Sequence, residues 1–206
     1  MIRLISAGVV LVVLNACGPE RPEPVTQAPA PVEVEQTGSA VHEGRVGTAA
    51  LLRVNGDRGV GPVELRLAFV DAAGKPIATT DESLPYCSAR ASCWWAATFF
   101  ADDFGGERVR GVRITVLRAD RYDGETDVTG FTVRRSDDGT IVGTPPGEEG
   151  HAYVVAFQDS KPRWGASVSV TGESGRSIAL PPDLLPSVDG EELRGFFYPG
   201  AVPAGD

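Results

Sequence analysis

Apolar side chains recur at every second residue through much of this chain, and glycine or proline interrupts each run before a helix could complete many turns. In VELRLAFVD, Val63, Leu65, Leu67 and Phe69 point one way while Glu64 and Arg66 point the other. That is the period of a strand with one buried face. GVRITVLRA places Val112, Ile114 and Val116 on one face, and HAYVVAFQD does the same with Tyr153, Val155 and Phe157. Further strands are expected over residues 49–54, 94–100, 131–134, 140–142, 166–170 and 193–198. Asn55-Gly56, Asp123-Gly124 and Asp138-Gly139 can adopt the positive φ that tight hairpins need. With 25 glycines and 16 prolines, long helices are disfavoured, and only Pro181-Pro182-Asp183 is expected to open a short helical turn, through Leu185. The pattern predicts an all-β fold, an antiparallel sandwich or barrel.

Two stretches of the body are similar. LAFVDAAGKPIAT (67–79) aligns with VAFQDSKPRWGAS (155–167), and ERVRGV (107–112) aligns with EELRGF (191–196). A chance likeness is the alternative, because Phe-x-Asp before a turn is a common strand ending. Read as a repeat, the spacing matches a small β-sandwich and predicts two in tandem. The expected units are 40–122 and 123–206, divided in the polar stretch DRYDGET.

The N-terminus is of another kind. Arg3 is the only charge before Cys17, and LISAGVVLVVL follows it. A charged n-region and a short apolar h-region form an export signal over residues 1–16. Eleven helical residues rise roughly 16 Å, about half of a bilayer's hydrocarbon core, which disfavours a spanning helix. Leu14-Asn15-Ala16-Cys17 resembles the lipobox of bacterial lipoproteins, with Asn15 the less usual member. The resemblance implies cleavage before Cys17, lipid on that cysteine, and a body outside the cytoplasm. Gly18 in place of an aspartate implies the outer membrane if the cell has two. Several acyl chains, at about 0.8 kcal/mol per buried methylene, anchor a protein durably. Residues 17–39 then read as a proline-rich, disordered linker with no aromatic residue to seed a core.

Net charge is −9, and loss of Arg3 with the signal makes the mature side chains −10. So acidic a chain is poorly suited to phosphate backbones or to anionic lipid, and no nucleic-acid partner is expected. The membrane, through Cys17, is the expected contact, with an unidentified envelope protein or polymer as partner. Cys87 and Cys93, in LPYCSARASCWW, make an even pair in an oxidising compartment, which predicts a disulfide.

The segment RVNGDRGVGPVELRLAFVDAAGKPIATT resembles the Ig-like extracellular modules of bacterial envelope proteins, with Ala68-Phe69-Val70-Asp71 standing where some carry Phe-x-Leu-Tyr-Asp. The resemblance implies an Ig-like sandwich that spaces, binds or braces. A sandwich alone carries no activity.

Catalytic and metal signatures are sparse. His42 and His151 belong to no zinc spacing and are expected at the surface. GESGRS lacks the Gly-x-Ser-x-Gly elbow. Neither Asp-Gly loop meets the EF-hand positions, although Asp102-Asp103, or Asp120 with Asp123 and Asp127, would suit an irregular calcium loop. No cofactor and no metal are expected. The most distinctive cluster is aromatic: Tyr86, Trp94, Trp95, Phe99 and Phe100 surround the cysteine pair. It is either core or a contact surface. The expected function is a lipid-anchored, non-catalytic binding or scaffolding element, with an exported hydrolase using carboxylates as the alternative.

Overall fold

The computed structural model describes residues 31–90, 92–122, 128–172, 176–184, 186–187 and 190–200. The expected export signal, Cys17 and the expected turn at Asp123-Gly124 lie outside them. The fold is all-β. The first six strands are β1 (Val32–His42), β2 (Arg45–Val54), β3 (Gly59–Val70), β4 (Pro76–Leu84), β5 (Ser92–Phe100) and β6 (Gly111–Tyr122). They form two three-stranded antiparallel sheets, β1-β2-β5 and β4-β3-β6. β7 (Thr129–Arg135), β8 (Ile141–Gly143), β9 (Gly150–Gln158), β10 (Lys161–Val170), β11 (Ile178–Leu180) and β12 (Glu192–Pro199) follow. These join in one six-stranded sheet, β10-β9-β12-β7-β8-β11.

The first two sheets face each other. Val46, Leu52 and Val54 of β2 share a core with Val63, Leu65, Leu67 and Phe69 of β3. The predicted disulfide lies across them. Cys93 pairs with Leu52 in the β2–β5 ladder, Cys87 bridges to Val60 at the start of β3, and the two cysteines are bonded, with Cα atoms 5.7 Å apart.

Part of the stretch expected as linker, from Val32 on, is a strand. Val32–His42 is paired with β2 on both sides of a register shift at Glu35, and Val32 is buried. A ladder needs no aromatic residue, and Val32 and Val34 supply enough alternation to seat it on the core. The Asn55-Gly56 turn also differs from expectation. It does not close a hairpin, because β2 pairs with β1 and β5 while β3 pairs with β4 and β6; the turn carries the chain between sheets. Asp138-Gly139 does close β7 onto β8, with Gly139 at φ 84°. At Pro181-Pro182-Asp183 there is a single turn, Leu184 N donating to Pro181 O.

The aligned segments occupy corresponding strands. LAFVDAAGKPIAT forms the β3–β4 hairpin and VAFQDSKPRWGAS the β9–β10 hairpin. The second pair of segments leads into β6 and β12, which flank β3 and β9 on their other sides. Strand order is therefore kept, as β4-β3-β6 and β10-β9-β12, but register is not. Phe69 faces Val112, whereas Phe157 faces Glu192 rather than the aligned Phe196.

The two halves share one core. β9 is apolar on both faces: Ala152, Val154 and Ala156 pack with Trp164, Ile141 and Phe197, while Tyr153, Val155 and Phe157 join the core of the first half. β10 lies against the outer face of β1-β2-β5, and only very small residues permit its approach. A Cβ at Gly38 would overlap the Pro162 carbonyl, one at Gly47 would overlap the Trp164 ring, and one at Gly165 would stand 2.5 Å from the Ala96 Cβ. Polar groups fasten the contact. Thr98 Oγ1 donates to Gly165 O at 2.9 Å, Trp164 Nε1 donates to Leu184 O at 2.5 Å, and Arg45 pairs with Asp183.

Candidate functional site

Packing on both sides decides the fate of the aromatic cluster. β5 has no outer face: Phe99 turns toward Phe69 and Phe104 inside the first half, and Trp94 turns toward Phe157 and Phe196 of the second. Tyr86, Trp94 and Trp95 are buried and Phe99 is half-buried, so of the two readings, core and contact surface, these four take the core one. Phe100 alone of the five is exposed, at 57%, with the Arg45 guanidinium 4.6 Å from its ring centroid. Phe197 and Tyr198 of LRGFFYPG are buried too, and Phe196 is half-buried.

The halves do not close completely along the β5 edge. A cleft of about 390 Å³ opens there, lined by Glu82 and Ser83 of β4, Trp95 of β5, His151 and Tyr153 of β9, and Ser167 of β10. Pro62 and Pro85 form part of its wall. Each side chain is placed by strand period: His151 and Tyr153 are two apart on β9, on the face that meets the first half. Their rings are 4.9 Å apart. Tyr153 in turn meets Tyr198 edge-on at 5.2 Å, Tyr198 meets Tyr86 at 5.4 Å, and Tyr86 stacks on Tyr122 at 5.2 Å. All four tyrosines of the chain thus form one row across the junction, ended by His151. The Tyr198 hydroxyl donates to Trp94 O at 2.8 Å.

Electrostatically the cleft is uncompensated. Glu82 is half-buried, and desolvation raises its carboxyl above the ordinary range. Burial pushes His151 below the usual imidazole value, and its Nδ1 is buried with no hydrogen-bond partner among the described residues. Tyr153 is pushed up, first by burial and then by the Glu82 charge, which places that carboxylate near the phenol. Among the described residues no lysine or arginine lines the cleft.

His42, by contrast, is exposed at the end of β1, with Nε2 3.7 Å from Glu43. Sequence reasoning expected His151 at the surface as well; it lies at the cleft because β9 is covered on both sides. Glu82 was not singled out at all. The only signal for it was the alternation in TTDESL, which sends Glu82 and Asp81 to opposite faces.

Among the described residues no group of three histidine, cysteine, aspartate or glutamate side chains is placed to hold a metal ion. Asp120 pairs with Arg118 at 2.8 Å, and Asp123 and Asp127 lie outside the described residues. Among those residues no helix is long and apolar enough to cross a membrane. No protein family model matches the chain, and no curated protein does.

Proposed function

We propose that this is a lipid-anchored protein of a bacterial cell envelope whose β-sandwich body binds a ligand or partner and performs no catalysis. The likeness of Leu14-Asn15-Ala16-Cys17 to a lipobox supports the anchor, and the bonded pair Cys87–Cys93 suits an oxidising compartment. The matching strand orders β4-β3-β6 and β10-β9-β12 support two related Ig-like modules in tandem. The observation that carries the binding role is the junction cleft, where the Glu82 carboxylate and the Ser83 and Ser167 hydroxyls meet proline walls over the edges of Trp95 and Tyr153. Clefts of this size with a few convergent polar groups are the usual form of a small-ligand site. The rival, a carboxylate hydrolase, needs two facing carboxyl groups, and among the described residues Glu82 is the single one lining the cleft.

Two experiments test the two parts. Metabolic labelling with a fatty acid should mark the wild type and not Cys17→Ala, with the mature chain beginning at residue 17; a labelled variant overturns the anchor. A pull-down from envelope extract should recover a component that Ser167→Trp, which fills the cleft, no longer retains. Equal recovery by a folded Ser167→Trp protein overturns the cleft as the binding site.

A further inference from the structure

The junction cleft is charged in one sense only. Among the described residues Glu82 reaches it half-buried, with no hydrogen bond or ion pair, whereas Asp81, its chain neighbour, is held by Arg66 Nε at 2.8 Å. A carboxylate taken out of water without a partner is costly to the fold. Such groups persist where something else completes them. The walls show what that something must be. Pro62 and Pro85 offer apolar surface, Ser83 and Ser167 supply hydroxyls, and the buried rings of Trp95 and Tyr153 reach the lining only by their edges. With no basic side chain in the lining, an anionic ligand would meet Glu82 uncompensated, and a neutral one would leave it unpaired.

We propose that the cleft binds a small organic ammonium ion, the charged nitrogen paired with the Glu82 carboxylate and the carbon body against Pro62 and Pro85, beside the edge of Trp95. The carboxylate takes the charged nitrogen and the proline surface takes the carbon body, so the two parts of the lining suit one ligand class. A volume of about 390 Å³ admits a short amine or an amino sugar, not a folded partner. Filling the site returns Glu82 toward the ordinary carboxyl range, because an adjacent positive charge favours the ionised form.

This inference rests on the cleft being the binding site, and the test separates the two claims. The purified full chain in detergent is titrated with n-butylammonium, n-butanol and butyrate while the three tryptophan indole N–H signals are followed by NMR. Butylammonium should move the Trp95 signal saturably, with Trp94 and Trp164 as internal references, and butanol should bind about tenfold more weakly. Glu82→Gln, an isosteric change, should abolish that preference while leaving the other two signals in place. Equal binding of butanol and butylammonium, or a preference for butyrate, overturns the ammonium assignment and keeps the cleft as a binding site. Failure of all three probes to move Trp95 overturns both. The wild-type preference decides the matter without the variant.

Discussion

Gly165→Ala tests whether the two halves are one cooperative body. Gly165 is not in the left-handed region, so alanine is free to adopt its backbone conformation, and shortening the list of unfolded states favours the variant by about 0.4–1 kcal/mol. Against that stands the contact with β1-β2-β5. The new Cβ would be 2.5 Å from the Ala96 Cβ and 3.1 Å from both the Ala49 Cβ and the Thr48 carbonyl. Carbon pairs rest at about 3.5–4.0 Å, so β10 must lift by roughly an ångström. Overpacking of this kind costs about 1–3 kcal/mol, and the lift stretches the Thr98–Gly165 hydrogen bond, worth about 1 kcal/mol. The penalty wins, with a net loss of about 2 kcal/mol, equal to a fall in Tm of roughly 4–8 °C for a chain of this size. Gly130→Ala is the control, because its Cβ would meet nothing closer than Gly195 O at 3.9 Å. Hydrogen exchange read by mass spectrometry should show β2, β5, β9 and β10 losing protection together in Gly165→Ala. An unchanged Tm, or a loss confined to β9 and β10, would refute the shared core.

Other substitutions test single interactions. Glu82 is raised by burial, so its stabilising contribution is complete below the unfolded-state pKa and is lost as pH climbs through the raised folded value. Glu82→Gln should therefore match the wild type in Tm near about pH 3 and exceed it near about pH 7; a constant difference across that range would contradict the desolvation. Tyr198→Phe removes the hydroxyl that donates to Trp94 O and should lower stability by about 1 kcal/mol in urea denaturation, and an unchanged midpoint would deny that bond any net value. Replacing Cys87 and Cys93 together by serine should cost about 2 kcal/mol by the loop-entropy relation for so small a ring. The expected reading is a shift in urea midpoint equal to that caused by reducing the wild type, and unequal shifts would mean that the serines act through something besides the ring.

Alternation made β3, β6 and β12 readable, because each keeps enough polar residues on one face to reveal the period. It also located β2, β5 and β9 but misjudged their surroundings. HAYVVAFQD contains Ala152, Val154 and Ala156 between the residues assigned to the core face, and a run apolar on both faces is the mark of a strand covered twice. The same oversight left Trp94 and Trp95 open to a surface reading. β1 and β4 escaped notice for opposite reasons. β1 follows a proline-rich stretch and carries the polar run Gln36-Thr37-Gly38-Ser39, with Gly38 and Ser39 small because Pro162 and the Val112 amide approach them. β4 is an edge strand, and its Thr, Asp and Glu are what an exposed edge requires. The cleft was not legible locally. Glu82 and His151 belong to different halves, and only the packing of β9 and β10 against the β5 edge brings them to one opening.

The tyrosine row has a practical corollary. Tyr86, Tyr153 and Tyr198 are buried and Tyr122 stacks on the first of them, so phenol-directed reagents such as nitrating or iodinating agents meet little accessible ring while the molecule is intact. Their uptake is therefore a clock for separation of the halves, read from a residue type that occurs nowhere else in the chain.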